Sequence, residues 1–207
     1  MLETLLLVLS VSIDSFVASI AYGTDKIKIP ILSALIIDIV CSAMLGVSLL
    51  LGSLIKDYIP STVAISISFL ILFGLGVYRL FESIFKNYIK NKSNALKPLT
   101  FKMFDFNFVL QVYADETKAD FDKSKILTSK EAFYLAFALS LDSLAVGFGS
   151  SLISVNYLQA IIFCLILGMM AILTGVYIGR KFIEKVDIDL SWLSGALLIL
   201  LAIMRVI

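Results

Sequence analysis

Histidine is absent from the chain's 207 residues. Imidazole acid/base chemistry and imidazole metal ligation are therefore excluded together. Cysteine is scarce. Cys41 and Cys164 are the only two, each sits in an apolar segment without a spacing partner, and both read as packing residues rather than a disulfide or zinc framework. Charge is sparse as well, at 16%, and clustered rather than spread. The net charge of +1 says nothing about partners. No secretory leader is evident: Glu3 stands where a basic segment would be needed, and the apolar stretch runs past leader length.

Apolar residues are what the chain has in excess. They make up 60% of the sequence, with a mean hydropathy of +1.01, where a soluble domain sits nearer half. A helix crossing the hydrocarbon core needs roughly 20 mostly apolar residues. Six segments qualify: 5–23, 31–55, 62–84, 131–153, 157–179 and 190–206. Pro30, the run Lys56 to Pro60, Asn156 and the stretch Arg180 to Asp189 mark breaks between them. A polar insert, 86–130, separates spans three and four. The expected fold class is an all-α polytopic membrane protein of six transmembrane helices.

Basic residues set the orientation. The first, third and fifth connections carry Lys26 and Lys28, nine lysines from Lys86 to Lys130, and Arg180, Lys181 and Lys185. The other side has Lys56, with Arg205 at the last helix end. Both termini are expected outside and the insert in the cytoplasm.

A short motif repeats. Ser12-Ile13-Asp14-Ser15-Phe16 in span one recurs as Ser140-Leu141-Asp142-Ser143-Leu144 in span four, and at nearly the same offset Arg79 in span three matches Arg205 in span six. Three spans per half is an odd number, so the second half enters the membrane upside down. The expected domains are two inverted three-helix repeats, 1–85 and 131–207, around the cytoplasmic insert. Secondary transporters recurrently use this plan, with sites at the midplane between halves.

Asp14 lies about 14 Å into its helix, near the middle of a core of about 30 Å, and Asp142 is equally deep. A carboxylate there is costly unless paired, hydrated or metal-bound. The plainer reading is a protonated aspartate hydrogen-bonding across helices. Two at equivalent positions argue for one shared cation site, with Ser10, Ser12, Ser15, Ser140 and Ser143 as nearby hydroxyls. Ser10 shares a helix face with Asp14; Ser12 and Ser140 point elsewhere unless the helix unwinds. Gly147 and Gly149 would let carbonyls bend toward an ion. Such oxygen ligands suit magnesium, calcium or manganese. Asp38, about 12 Å into span two, lines a cytoplasmic entrance or sits in a wet cleft. Arg79 and Arg205, near helix ends, are expected to snorkel to the interface. Gly175 and Gly179 form a small-residue packing pair.

In the insert, Phe104, Phe106, Phe108, Leu110 and Val112 alternate with polar residues and read as a strand. Asp120, Asp122, Ser124, Thr128 and Glu131 then follow the EF-hand ligand order, although position six, normally glycine, is Lys125. Thr128 and Glu131 also fit a capping box that opens span four. The two readings are compatible.

With its repeated Ser-apolar-Asp-Ser motifs the chain resembles the MntP family of manganese efflux pumps. It is more similar still to the sporulation membrane protein YtaF branch, through Tyr22-Gly23, Ile27 to Pro30, and Ala119 to Ser124 before Ala138 to Asp142. The resemblance implies six spans and a divalent-cation exporter with Asp14 and Asp142 at the intramembrane positions. Ser15 and Ser143 stand where alanine is common in the pumps, and Lys125 where the branch has glycine. The implied function is divalent-cation export, manganese first, by alternating access; the alternative is a structural or metal-sensing role in sporulation. An intramembrane aspartyl protease is disfavoured, since Ser12 and Ser140 replace the glycine expected two residues before each aspartate. No enzyme activity or resident cofactor is implied; Mn2+ or Ca2+ enters as substrate or ligand. The partners are that ion and the lipid bilayer, without nucleic acid, and a homo-oligomer is left open.

Overall fold

A computed structural model describes residues 2–81, 112–113, 116–152, 156–182 and 191–204. Six α-helices dominate it: α1 (Leu2–Thr24), α2 (Ile31–Lys56), α3 (Ser61–Leu80), α4 (Ser129–Ser151), α5 (Tyr157–Phe182) and α6 (Ser191–Met204). The expected breaks fall close to the helix ends. Pro30 and Pro60 are the N-caps of α2 and α3; a proline lacks the N–H that a first turn leaves unpaired, and its fixed φ suits the start. Helix α4 opens with the capping box: Glu131 N–H donates to the Thr128 hydroxyl, and Thr128 N–H to the Glu131 carboxylate. The first five helices are long and apolar enough to cross a membrane. Helix α6, described over 14 residues, is apolar but shorter.

Small residues decide how these helices meet. On α5, Gly175 abuts Phe16 and Ser19 while Gly179 abuts Ile20 and Gly23, so α1 and α5 run side by side in the same direction. Helices α2 and α4 also run together, contact advancing from Cys41 on Ala136 to Ser48 on Leu144 to Gly52 on Ser151. Helices α3 and α6 cross in opposite directions, with Gly76 and Gly195 backbone to backbone. No side chain fits at these crossings, the usual reason for glycine where membrane helices approach closely.

One end of the bundle gathers the end of α1, the starts of α2 and α4 and the end of α5. Lys28 N–H donates to Lys125 C=O (2.8 Å) and Leu127 N–H to Lys28 C=O (2.9 Å), an isolated parallel bridge between the lead-ins to α2 and α4. A short 3-10 turn, Glu116–Ala119, packs beside α1 and α4. Of the expected strand, residues 104–111 lie outside the described residues; Val112 is helical and fully buried.

The core forms two apolar clusters. One includes Leu7, Val11, Leu45, Leu72, Val146 and Leu198. The other, toward the lysine-bearing end, includes Tyr22, Cys41, Val112, Leu127, Ala138 and Ile172.

Candidate functional site

Asp14 of α1 and Asp142 of α4 lie along their helices between the two clusters: Val11 and Val146 belong to one cluster, Tyr22 and Ala138 to the other. The carboxylates meet through Arg79 of α3. Its guanidinium binds both oxygens of Asp14, and its Nη2 also reaches Asp142 Oδ2 at 2.9 Å. The side chains are largely buried, at 5% exposure for Arg79, 10% for Asp14 and 17% for Asp142. Tyr113, within the insert, donates its hydroxyl to Asp142 Oδ1 (3.3 Å) and lies 3.4 Å from the Tyr78 hydroxyl.

Arg79 does not snorkel. Its stem packs where Gly195 of α6 leaves room, since a Cβ at Gly195 would sit 3.1 Å from Arg79 Cβ. The guanidinium turns to the carboxylates, which remove most of its desolvation cost. The repeat register carried a signal for this role, since Arg79 and Arg205 recur at nearly the offset of the aspartates. Arg205 lies outside the described residues.

The remaining polar residues divide. Ser10 donates to Leu7 C=O (2.7 Å) and Ser140 to Phe137 C=O (2.8 Å), each within its own helix. Ser12 is buried and its hydroxyl finds no partner among the described residues. Ser15 and Ser143 are buried too. The expectation for Gly147 and Gly149 is corrected: α4 is continuous through both, Gly147 packs on Leu45 and Ser48, and Gly149 C=O accepts from Ser68 (2.6 Å). They serve helix packing. Asp38 is not in the Arg79 cluster; it is buried at 5% exposure against Gly168 of α5.

At the lysine-bearing end, Asp120, Asp122 and Glu131 each offer a carboxylate oxygen within 4.8 Å of the others. Asp120 accepts from the Ser124 and Lys125 amides, Asp122 from the Ser124 amide, and Glu131 from Phe121 N–H. Lys125 has φ 60°, the left-handed conformation for which an EF-hand loop uses glycine. The sharp turn is made regardless. Burial raises the pKa of Asp120, whereas the hydroxyl and amide of Ser124 lower that of Asp122.

A family model described as "Putative manganese efflux pump" matches residues 83–205, more than half of the chain. The chain belongs to the MntP family. Relatives align with it almost end to end. The "Probable sporulation protein YtaF" of Bacillus subtilis (strain 168) is 30% identical over 99% of both chains. The "Putative manganese efflux pump MntP" of Methanosphaera stadtmanae is 27% identical over 97% of this chain and 96% of its own. No solved structure matches. This MntP-family chain is a multi-pass membrane protein, and the full-length relatives extend the alignment over Asp14 and Arg79, which precede the family match.

Proposed function

We propose that the chain exports divalent cations, manganese first, through a site formed by Asp14 and Asp142. The observation that carries this reading is the single guanidinium shared between the two motif carboxylates. A cation-shaped position already exists at mid-depth, held by an internal cation. A divalent ion displacing Arg79 would neutralise both carboxylates, and hard oxygen ligands suit Mn2+ over softer metals. Arg79 then restores partners to the carboxylates once the ion has left, which avoids a bare buried pair during the return step. The apolar clusters on either side keep water from both faces at once, as an occluded step of alternating access requires.

The helix contacts support a two-fold arrangement. Exchanging α1, α2 and α3 with α4, α5 and α6 turns the α1–α5 pair into α4–α2 and leaves α3–α6 unchanged. Two inverted repeats would pack in this way. The shared end that carries Lys26, Lys28, Lys123, Lys125, Lys130, Arg180 and Lys181 is assigned to the bacterial cytoplasm, with the insert. No enzymatic step is needed by this reading.

Mn2+ flux into vesicles containing the purified chain tests it. Asp14→Asn and Asp142→Asn should each abolish flux while folded protein is retained, and the double variant should be no worse, because the two act as one unit. Undiminished flux in either single variant would remove the shared-site reading.

A second reading is favoured by the relative named for sporulation: the same site senses or is stabilised by metal without moving it. Saturable Mn2+ binding with no flux under any gradient would select it. In both readings the loop of Asp120, Asp122, Ser124 and Glu131 is an accessory site for Ca2+ or Mn2+ at the cytoplasmic end.

A further inference from the structure

Asp38 is the buried carboxyl that the site does not use. It lies on α2, at 5% exposure, and makes no hydrogen bond among the described residues. Its Oδ1 is pressed onto Gly168 of α5, where an added Cβ would be 2.1 Å away. Its titratable neighbours are few. Cys41 stands one turn along α2 and Cys164 one turn before Gly168 on α5; both thiols are buried and lie within electrostatic reach of Asp38. Asp14 of α1 reaches the same Cys41. From α4, packed on the other side of α2, Ala136 C=O accepts from the Cys41 thiol. No ion pair to Asp38 forms among the described residues.

An ionised carboxylate with no donor in a low-dielectric layer costs several kcal/mol, a cost that a bound proton removes. A metal ion is a poor occupant. It would need about six oxygen ligands, and beside Asp38 stand Gly168, the thiols of Cys41 and Cys164 and the single hydroxyl of Ser42. A cavity of about 220 Å³ opens between the start of α2 and the end of α5, lined by Ala34, Ile172, Val176 and Arg180 among others. Ala34 and Ile172 stand four residues from Asp38 and Gly168, on the same helix faces and toward the lysine-bearing end. The cavity thus ends one turn from the carboxyl.

We infer that Asp38 is a proton-binding site, separate from the metal pair, that couples cation export to proton movement in the opposite direction. The inference rests on the transport reading above. The balance is simple: the carboxylate takes one proton on the outer side, carries it neutral through the packed arrangement, and releases it at the lysine-bearing end, where α2 and α5 separate. Gly168 allows the neutral group to pack closely against α5.

The test uses the full chain in liposomes with the membrane potential clamped by potassium and valinomycin, and Mn2+ read by a trapped quenchable dye. Under a gradient of one pH unit, the wild type should accumulate Mn2+ about tenfold for each coupled proton, since a tenfold ratio corresponds to about 1.4 kcal/mol. Asp38→Asn should let Mn2+ equilibrate and give an accumulation ratio of about one. Asp38→Ser, smaller and unable to carry a proton at these pH values, serves if the first variant folds poorly. Accumulation by either variant equal to wild type overturns the inference, as does wild-type equilibration without accumulation, which leaves transport standing. Loss of equilibration in both variants assigns Asp38 to the cation path and overturns the proton role. Absence of any wild-type flux removes the transport reading and the inference with it.

Discussion

At Arg79 two costs meet. A guanidinium without partners in the bundle and two carboxylates without a cation are each unfavourable, and their pairing offsets both. Breaking a buried pair by removing one partner typically costs about 3–5 kcal/mol. Arg79→Gln should therefore lower the melting temperature in metal-free detergent. Added Mn2+ should raise it by more than it raises wild type, because the ion no longer competes with an internal cation. An equal Mn2+ response in both proteins would show that Arg79 does not compete. The loop carboxylates offer a second residue-scale test. Burial raises Asp120, so its charge is lost as pH falls through a value above the usual carboxylate range of about 4. Asp122, lowered by Ser124, stays charged to lower pH, and its stabilising contribution is lost only as pH falls through its depressed pKa. Ion binding at the loop should accordingly weaken in one early step set by Asp120. Calorimetric Ca2+ titrations of the full chain across pH, against Asp120→Asn with Asp122→Asn, would measure it, and pH-independent binding would exclude Asp120 as a ligand.

Helix pairs are fixed by where glycine falls. Gly179 has Ile20 C=O at 2.4 Å from a would-be Cβ, a backbone atom that cannot turn aside, whereas Gly74 has nothing within 4 Å. Gly179→Val should push α1 from α5 and destabilise by at least about 1–3 kcal/mol, the usual overpacking cost. Gly74→Ala on α3 should be neutral or stabilise by about 0.5–1 kcal/mol through helix propensity. Thermal unfolding of the two variants in one detergent decides this, and equal behaviour would contradict the packing. The crossing of Gly76 with Gly195 borders the site as well, since the Arg79 Cβ packs against Gly195.

Across the whole molecule, the lysine-bearing segments share one end, where Arg180 reaches Ile27 C=O across 153 residues of sequence. Single cysteines introduced at Lys26, Lys123 and Lys181 in a chain lacking Cys41 and Cys164 should all be shielded from an impermeant thiol reagent in intact cells. A cysteine at Lys56 should be labelled. The reverse pattern would invert the orientation and leave the helix packing intact. By itself the sequence determined the long apolar spans and the capping box at Thr128 and Glu131. These follow from local hydropathy, helix rise and backbone hydrogen bonding, which short stretches of chain carry. Only the tertiary structure decided that Arg79 joins the aspartates, that Gly147 and Gly149 pack against neighbouring helices, and that Asp38 is sealed against Gly168. Each depends on how a helix is rotated about its axis and which neighbour it meets. In lipid no apolar face is forced inward by water, so small-residue contacts between distant segments set that rotation.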